Sequence, residues 1–161
     1  MNTMIFTEYL ETKVGLVEVQ ASLQGITKIC FRHSKEMTEL GNQHSQNALT
    51  QLAEYFAGQR AKFDLSLDTN GTLFQQKVWQ QLLTIPIGET CSYADIANKI
   101  NNPKAVRAVG AANGKNPIAI IVPCHRVIGS NGSLTGYAWG TQIKADLLTL
   151  EQSFRQQHNA V

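Results

Sequence analysis

The polar segment Asp64–Gly71 is typical of a connection between two subdomains, and this division limits the possible folds more than any other feature. Before the segment, short stretches rich in β-branched and aromatic residues are separated by turn residues, at Met4–Leu10, Leu16–Ser22 and Ile26–Phe31. Such stretches are typical of a β-meander. After the segment, apolar residues recur mainly at helical spacing. The chain is therefore predicted to join a small sheet to a mostly helical part.

The predicted fold class is α+β, with two domains. In residues 1–70, a helix over Gln46–Phe56, ended by Gly58, is expected to follow a small antiparallel sheet. Residues 71–155 are expected to form a mostly helical domain that contains a helix-turn-helix, and residues 156–161 a tail. The total of 161 residues is enough to bury the cores of two small domains.

Capping patterns mark the helices of the second domain. Thr72–Gln75 is a capping box that opens one helix, and Ser92–Asp95 is a second that opens a short helix to about Ile100. Asn102 and Pro103 predict a third helix, with Asn102 as its N-cap and Pro103 at its first position. Two short helices joined by a tight turn predict a helix-turn-helix.

The third of these helices, expected over Pro103–Asn113, is unusually rich in small side chains. They are Ala105, Ala108, Gly110, Ala111 and Ala112. A helix of this kind lies close to another surface, either a neighbouring helix or a nucleic-acid groove, and composition alone favours the helix. Arg107 is the charged residue in the middle of the run. A lone arginine is usually solvated, so both interpretations stay open at this point.

The apolar run Pro117–Val122 predicts a buried strand that Pro123 ends, so Cys124 is expected where a strand leaves the core. A last amphipathic helix is expected to end near Glu151. The polar segment Gln152–Val161 is expected to be a frayed tail.

Charge and cysteine content narrow the function classes. Residues 1–70 carry six Lys and Arg against eight Asp and Glu, whereas residues 71–161 carry eight against four. A phosphate-facing surface is therefore expected in the second half, although uneven solvation gives the same pattern. No stretch resembles a signal peptide or a membrane span, so we expect a soluble, cytoplasmic protein. Three cysteines without a C-x-x-C pair suggest neither a disulfide framework nor a zinc ribbon.

One of the three cysteines has an unusual setting. A buried cysteine is most often an inert small hydrophobe, and Cys30 and Cys91 fit that description. Cys124 is followed directly by His125 and Arg126, and this positive surrounding is expected to favour the thiolate over the thiol.

A nucleophilic cysteine at this position needs a base. His125 is the nearest candidate, but neighbours on an extended chain point to opposite faces, so contact with Cys124 requires a turn or a bridging water. Glu151 is a candidate for orienting the imidazole, which sequence distance does not test.

The segment Pro123–Val127, of sequence PCHRV, resembles the active-site signature of the O6-alkylguanine-DNA alkyltransferases, also called methylated-DNA–protein-cysteine methyltransferases. The resemblance is strong over residues 70–151 and architectural over residues 1–69. The further matching positions are Phe74, Val78, Trp79, Leu82, Ile85, Pro86, Gly88, Thr90, Ser92, Tyr93, Asn102, Pro103, Ala108, Val109, Gly110, Asn116, Pro117, Gly136 and Tyr137.

The resemblance implies an irreversible, stoichiometric reaction that repairs DNA by direct reversal. Cys124 is implied as the acceptor of the alkyl group from O6-alkylguanine. The resemblance also allows activity on O4-methylthymine. His125 is implied as a base that acts through a water, and Glu151 as the residue that holds it. Asn116 matches a residue that braces the active-site turn.

The resemblance also implies how DNA is bound. Arg107 matches a finger that enters the base stack and fills the gap left by a flipped guanine. Ala105, Ala108 and Gly110 would let their helix approach the minor groove of double-stranded DNA. Tyr93 matches a tyrosine that rotates the nucleotide phosphate and donates a proton toward the leaving guanine. The implied protein is a monomer without a cofactor.

The implied base pocket contains one unusual residue. Tyr137 and the loop Ser130–Ala138 match a wall of this pocket, and Val127 belongs to its lining. Trp139 stands where many relatives have glycine, and its indole is expected to narrow the pocket mouth against bulky adducts such as benzyl. The alternative is that Trp139 packs on the last helix.

Two other functions and a metal site fit the sequence less well. A lesion-binding regulator without repair activity would lack the reactive cysteine, whereas Cys124 is present. A cysteine hydrolase would leave Arg107 and Tyr93 without a role. Cys30, His33 and His44 do not match the Cys/His set of relatives that bind zinc, so no metal is expected.

Overall fold

The computed structural model describes residues 4–159. Residues up to Asn70 and residues from Gly71 onward form two compact units. Within the described residues, no helix is both long and apolar enough to cross a membrane. The predictions for residues 1–3 of the first domain and for residues 160–161 of the tail lie outside the described part.

The first unit is the predicted meander followed by a helix. Its strands β1 (Phe6–Thr12), β2 (Gly15–Ala21) and β3 (Ile26–Arg32) pair antiparallel in chain order. Helix α1 (Gln43–Phe56) begins three residues earlier than predicted, because the Asn42 side chain accepts a hydrogen bond from the backbone N–H of Ser45 and caps it.

The second unit is mostly helical, which confirms the α+β class. Both predicted capping boxes are present, at Thr72 and at Ser92. Two very short strands pair in parallel and hold the chain on either side of the helix-turn-helix. The elements are α2 (Leu73–Leu82), β4 (Cys91–Ser92), α3 (Tyr93–Lys99), α4 (Val106–Gly114), β5 (Val127–Ile128) and α5 (Thr141–Asn159).

The predicted start of α4 is wrong. The helix begins at Val106, and neither Asn102 nor Pro103 caps it. The backbone N–H of Asn102 instead donates to Ala97 O at 2.9 Å and closes the end of α3. Asn101 adopts a left-handed φ of 60° there, so the residues that looked like a helix start form the turn of the helix-turn-helix.

The buried strand predicted over Pro117–Val122 is also wrong, although the segment is buried from Ile118 onward. The chain turns back on itself: Val122 N donates to Ile118 O at 3.1 Å, and Ile120 has φ +72°, which is rare for a β-branched residue. A hydrophobic run of this length indicates burial but does not distinguish a strand from a buried turn.

Helix α5 continues to Asn159, so the expected end near Glu151 and the frayed tail are wrong for the residues up to 159. Two polar side chains beyond Glu151 have partners. Gln152 Nε2 donates to Gly88 O at 2.7 Å, and Arg155 lies against Gly88, where φ is +82° and an added Cβ would clash with the arginine side chain.

Candidate active site

A single 3-10 turn, Cys124–Arg126, presents the three side chains that the sequence singled out. Cys124 N donates to Val122 O at 2.8 Å and Arg126 N donates to Pro123 O at 3.0 Å, which fixes the turn at its start. The three side chains are buried, and a 3-10 helix with three residues per turn sends them in different directions. The turn that a Cys124–His125 pair requires is therefore present.

His125 is held by a carboxylate from helix α5. Its Nε2 lies 2.7 Å from Oε2 of Glu151, and both side chains are fully buried. Because a carboxylate only accepts hydrogen bonds when ionised, Nε2 carries the proton in this pair. The other ring nitrogen, Nδ1, is buried without a hydrogen-bond partner among residues 4–159. The geometry leaves Nδ1 as the nitrogen that is able to accept a proton.

Arg126 binds the same carboxylate from the other side. Its Nε donates to Oε1 of Glu151 at 2.8 Å and its Nη2 donates to Oε2 at 3.0 Å. Burial by itself would raise the pKa of Glu151, but the charge and hydrogen bond of His125, with those of Arg126, lower this pKa from 4.5 to about 2. Glu151 is therefore ionised throughout the neutral range.

Burial raises the pKa of the Cys124 thiol, while a hydrogen bond with Asn116 and the charge of Lys144 act in the opposite direction with smaller effect. The expected effect of Arg126 on the thiolate is absent, because the guanidinium is occupied by Glu151. In the sequence Arg126 stands close to Cys124, but the sequence does not show that its guanidinium binds Glu151. The thiol thus needs a base, and His125 is the neighbouring one.

Asn116 braces the turn before the cysteine. Its Nδ2 donates to Val122 O at 2.7 Å and to Ile118 O at 3.3 Å, while its Oδ1 accepts from Ile118 N at 3.0 Å. These bonds satisfy backbone groups of a buried turn that has no neighbouring strand. They join the two ends of the turn that contains Ile120, whose φ is left-handed.

Two buried residues near the cysteine were not found from the sequence. Lys144 is fully buried on α5, and its Nζ donates to Val127 O at 2.7 Å and to Thr135 O at 3.1 Å. The sequence does carry a signal for its burial, because Lys144 lies three residues before Leu147 and seven before Glu151 and so shares the buried face of α5. The second is Asn113 of α4.

Asn113 lies at the C-terminal end of α4, where its Nδ2 donates to Cys124 O at 3.3 Å. The side chain is buried, and its Oδ1 has no hydrogen-bond partner within the described chain. No sequence signal separated this asparagine from the small residues around it. Helix α4 therefore contacts the backbone of the cysteine directly.

Tyr93, at the start of α3, faces the loop between β5 and α5. Its hydroxyl donates to Thr135 O at 3.2 Å, the carbonyl that Lys144 also binds. The next residue, Gly136, has φ +80°, and a Cβ there would lie 3.3 Å from the Tyr93 hydroxyl oxygen. Burial, and then the charge of Cys124, raise the pKa of Tyr93. The structure therefore brings Tyr93 and this loop together.

The expected pocket residues differ in exposure. Tyr137 is buried and Trp139 stacks edge-on against it, with ring centroids 5.3 Å apart and an interplanar angle of 71°. Val127 is buried as well, whereas Ser130 and Ala138 are exposed. The Tyr137 hydroxyl has no partner among the described residues, and burial raises its pKa well above the usual value.

Helix α4 has one face in the core and one in solvent. Val109 and Ala112 are buried, and Trp79 Nε1 donates to Ala112 O at 2.9 Å, so these residues carry the close helix packing. Arg107 and Ala108 are exposed. The opposite face of α4 is therefore exposed to solvent, and helix packing explains the small residues on the buried face only. Ala105 and Gly110 lie between the two faces.

Comparison with known proteins gives consistent matches along the whole chain. Residues 73–153 match the DNA binding domain of 6-O-methylguanine DNA methyltransferase, and residues 5–69 match its ribonuclease-like domain. A methylated-DNA–protein-cysteine methyltransferase of Methanosarcina acetivorans is 48% identical over 149 residues, which are 89% of this chain and 96% of that protein.

Solved structures give the same result. The crystal structure of the O6-methylguanine methyltransferase of Mycobacterium tuberculosis is 44% identical, with a TM-score of 0.85 over 93% of this chain and 94% of that one. A structure of the Mycobacterium tuberculosis protein in complex with DNA is 46% identical, with a TM-score of 0.82 over 93% of each chain.

Proposed function

This chain belongs to the 6-O-methylguanine DNA methyltransferase family, and from that membership we propose that Cys124 takes the alkyl group from O6 of guanine in DNA and keeps it. The activity is that of a methylated-DNA–protein-cysteine methyltransferase, which repairs DNA by direct reversal. Each molecule acts once, because a thioether has no evident route back to the thiol. Activity on O4-methylthymine is part of the proposal.

The observation that carries the proposal is the buried arrangement around the 3-10 turn. Glu151 accepts a hydrogen bond from Nε2 of His125, which leaves Nδ1, without a partner in the described chain, as the ring nitrogen that can accept a proton. Cys124 itself is 4% exposed. A buried thiol of raised pKa is a poor nucleophile until a base removes its proton.

The proposed reaction conserves protons and electrons. The proton of the Cys124 thiol passes through a water to Nδ1 of His125. Sγ forms a bond to the alkyl carbon as the bond from that carbon to O6 breaks, and the bonding pair leaves with guanine. Tyr93 donates a proton to the leaving guanine. Glu151 stabilises the imidazolium that results.

DNA is bound by the second unit, and the proposed contact is the exposed face of α4. Small side chains at Ala105, Ala108 and Gly110 permit close approach to a minor groove. Arg107, exposed on this helix, is proposed to fill the place of the flipped guanine. Most affinity should come from phosphate contacts, so binding should weaken steeply with salt.

The base pocket is proposed to consist of Val127, Ser130, Tyr137, Ala138 and Trp139. Asn116 is proposed to keep the active-site turn in place. We further propose a cytoplasmic monomer that needs no cofactor for the transfer and selects damage rather than sequence.

Intact-protein and peptide mass spectrometry tests the proposal after incubation with a duplex that contains O6-methylguanine. We expect one added methylene unit on Cys124, in a one-to-one yield that then stops. Cys124→Ala should bind the duplex without gaining mass, and Cys91→Ala serves as the matched control that still reacts. An unchanged mass of the natural chain on bound damaged DNA would make it a lesion sensor, and turnover of esters would indicate a hydrolase.

A further inference from the structure

The amide of Asn113 is a buried polar group next to the nucleophile, and the reaction proposed above gives it no role. Among residues 4–159, the buried side-chain atoms without a hydrogen-bond partner are Thr27 Oγ1, Asn113 Oδ1, His125 Nδ1 and the Tyr137 hydroxyl oxygen. Thr27 lies in the first unit, Nδ1 of His125 is the proposed proton acceptor, and Tyr137 belongs to the proposed pocket wall. A buried acceptor without a donor costs free energy, so Oδ1 of Asn113 requires an explanation.

The orientation of this amide follows from its neighbour. Asn113 Nδ2 lies 3.3 Å from Cys124 O. A backbone carbonyl only accepts hydrogen bonds, so the nitrogen of the amide has to face it and Oδ1 has to lie on the other side. The side chain is 2% exposed, so bulk solvent does not reach it. Asn113 therefore offers one fixed acceptor beside the residue that carries the reactive sulfur.

The backbone around Asn113 holds the amide in place. Its own carbonyl, in the last turn of α4, accepts from Asn116 N at 3.3 Å. The preceding carbonyl, of Ala112, accepts from Trp79 Nε1 at 2.9 Å. Helix α4 packs on both α2 and α3. A recognition group on such a rigid element keeps its position when a ligand arrives.

The chemistry of the proposed substrate supplies a donor for Oδ1. For Sγ of Cys124 to reach the alkyl carbon on O6, the Watson–Crick edge of the flipped base has to lie beside this residue. Proteins that flip bases read that edge by hydrogen bonds. O6-alkylguanine carries a single donor group there, the exocyclic N2 amine, because alkylation leaves N1 unprotonated. O4-methylthymine carries none, because its N3 is unprotonated for the same reason and its O2 only accepts.

We propose that Asn113 is a specificity-determining residue, whose Oδ1 accepts a hydrogen bond from the N2 amine of the flipped O6-alkylguanine. The inference rests on the proposed function of Cys124 and names the part of the lesion that the protein reads. Guanine lesions become better substrates than thymine lesions, since O4-methylthymine leaves Oδ1 buried and unpaired. The contact also places the alkyl carbon relative to Sγ, because the same amide is bonded to the backbone of Cys124.

The test compares O6-methylguanine with O6-methylhypoxanthine, which lacks only the amine, each in the same duplex. Single-turnover rates of methyl transfer are measured for the natural chain and for Asn113→Leu, which replaces the amide by an apolar group of similar shape. We expect the natural chain to prefer O6-methylguanine by about ten- to a hundredfold, and the preference of Asn113→Leu to fall within about threefold. Loss of the bond to Cys124 O slows both lesions alike, so it does not change their ratio.

Asn47→Leu is the matched control, because it makes the same change at an exposed position of α1. It should keep the natural preference. O4-methylthymine is a second probe: it should react more slowly than O6-methylguanine with the natural chain, and the gap should narrow in Asn113→Leu. Asn113→Ala takes the place of the leucine variant if thermal melting shows that the latter does not fold. If neither folds, the preference of the natural chain between the two lesions decides.

The proposal is overturned if the natural chain transfers methyl from the two lesions at rates within about threefold of each other, or if a folded Asn113 variant keeps the natural preference. The second result would limit Asn113 to holding the carbonyl of Cys124. Binding of the same duplexes to Cys124→Ala separates recognition from chemistry. If the natural chain transfers no methyl, the proposed function fails, whereas a binding preference for the amine that Asn113→Leu abolishes in the Cys124→Ala background would still support the recognition of N2.

Discussion

Nε2 of His125 and Oε2 of Glu151 lie 2.7 Å apart, with both side chains fully buried, although 25 residues separate them along the chain. One comes from the turn at the cysteine and the other from helix α5. The bond holds the imidazole ring and leaves Nδ1 without a hydrogen-bond partner among residues 4–159. It also makes the ionisation of Glu151 part of the stability of the second unit.

The lowered pKa of Glu151 predicts a loss of stability in acid. Its folded pKa of about 2 lies below the unfolded value near 4.5, so the ionised form contributes stability that is complete above 4.5 and is lost as pH falls toward 2. The full contribution is on the order of 3 kcal/mol. Urea unfolding at about pH 7 and about pH 3 measures it.

Glu151→Gln is the control for this pH dependence. It should be less stable than the natural chain at neutral pH, because Arg126 keeps a buried charge without its partner, at a cost of about 3–5 kcal/mol. Its stability should then change less between pH 4.5 and about 3. Equal slopes for the two proteins in this window would contradict the assignment to Glu151.

Arg107→Ala should affect base extrusion rather than the chemistry. Arg107 is exposed on α4, away from the hydrogen bonds of the 3-10 turn. Flipping a base costs a few kcal/mol, so losing the residue that offsets part of this cost should slow transfer from duplex DNA by about ten- to a hundred-fold. The rate of reaction with free O6-methylguanine should stay within about threefold of the rate of the natural chain.

The matched control is Lys77→Ala, which also removes one exposed positive charge from the second unit. It should weaken DNA binding modestly and uniformly without this split between duplex and free base. An equal loss on both substrates in Arg107→Ala would indicate damage to the active site instead.

Trp139→Gly should open the pocket to bulky adducts. The indole stacks edge-on against Tyr137 at the proposed mouth of the pocket. We expect the natural chain to repair methyl lesions efficiently and to react poorly with O6-benzylguanine. The single-turnover rate of the glycine variant should rise about tenfold or more with O6-benzylguanine and change little with methyl lesions. If the natural chain reacts with benzyl as fast as with methyl, the indole does not restrict the pocket.

Lys144→Met should loosen the loop between β5 and α5. The methionine keeps most of the aliphatic stem but removes the Nζ donor from the carbonyl of buried Val127, at about 1–3 kcal/mol, and leaves Thr135 O with the Tyr93 hydroxyl as its donor. Unfolding should be easier and transfer slower by about tenfold. Lys77→Met, at an exposed site, should change neither, and equal melting temperatures for both variants would refute the prediction.

The sequence determined the parts of the protein that depend on short-range signals. Short stretches rich in β-branched and aromatic residues predicted the meander. The capping boxes at Thr72 and Ser92 predicted the starts of α2 and α3, because a cap is made within four residues. The PCHRV segment identified Cys124 and His125 by resemblance. The polar segment Asp64–Gly71 lies where the chain divides into two compact units.

Tertiary structure decided what depends on distant partners. The polar end of α5 is held where Gln152 and Arg155 meet Gly88, 64 and 67 positions away. The turn at Pro117–Val122 is closed locally, by Asn116, in a way that its apolar composition did not reveal. Arg126 binds Glu151 rather than activating the thiol. Lys144 and Asn113 join the site through carbonyls of the loop and of Cys124. Hydrogen bonds between residues far apart in the chain leave no periodic pattern, so only the folded structure identifies them.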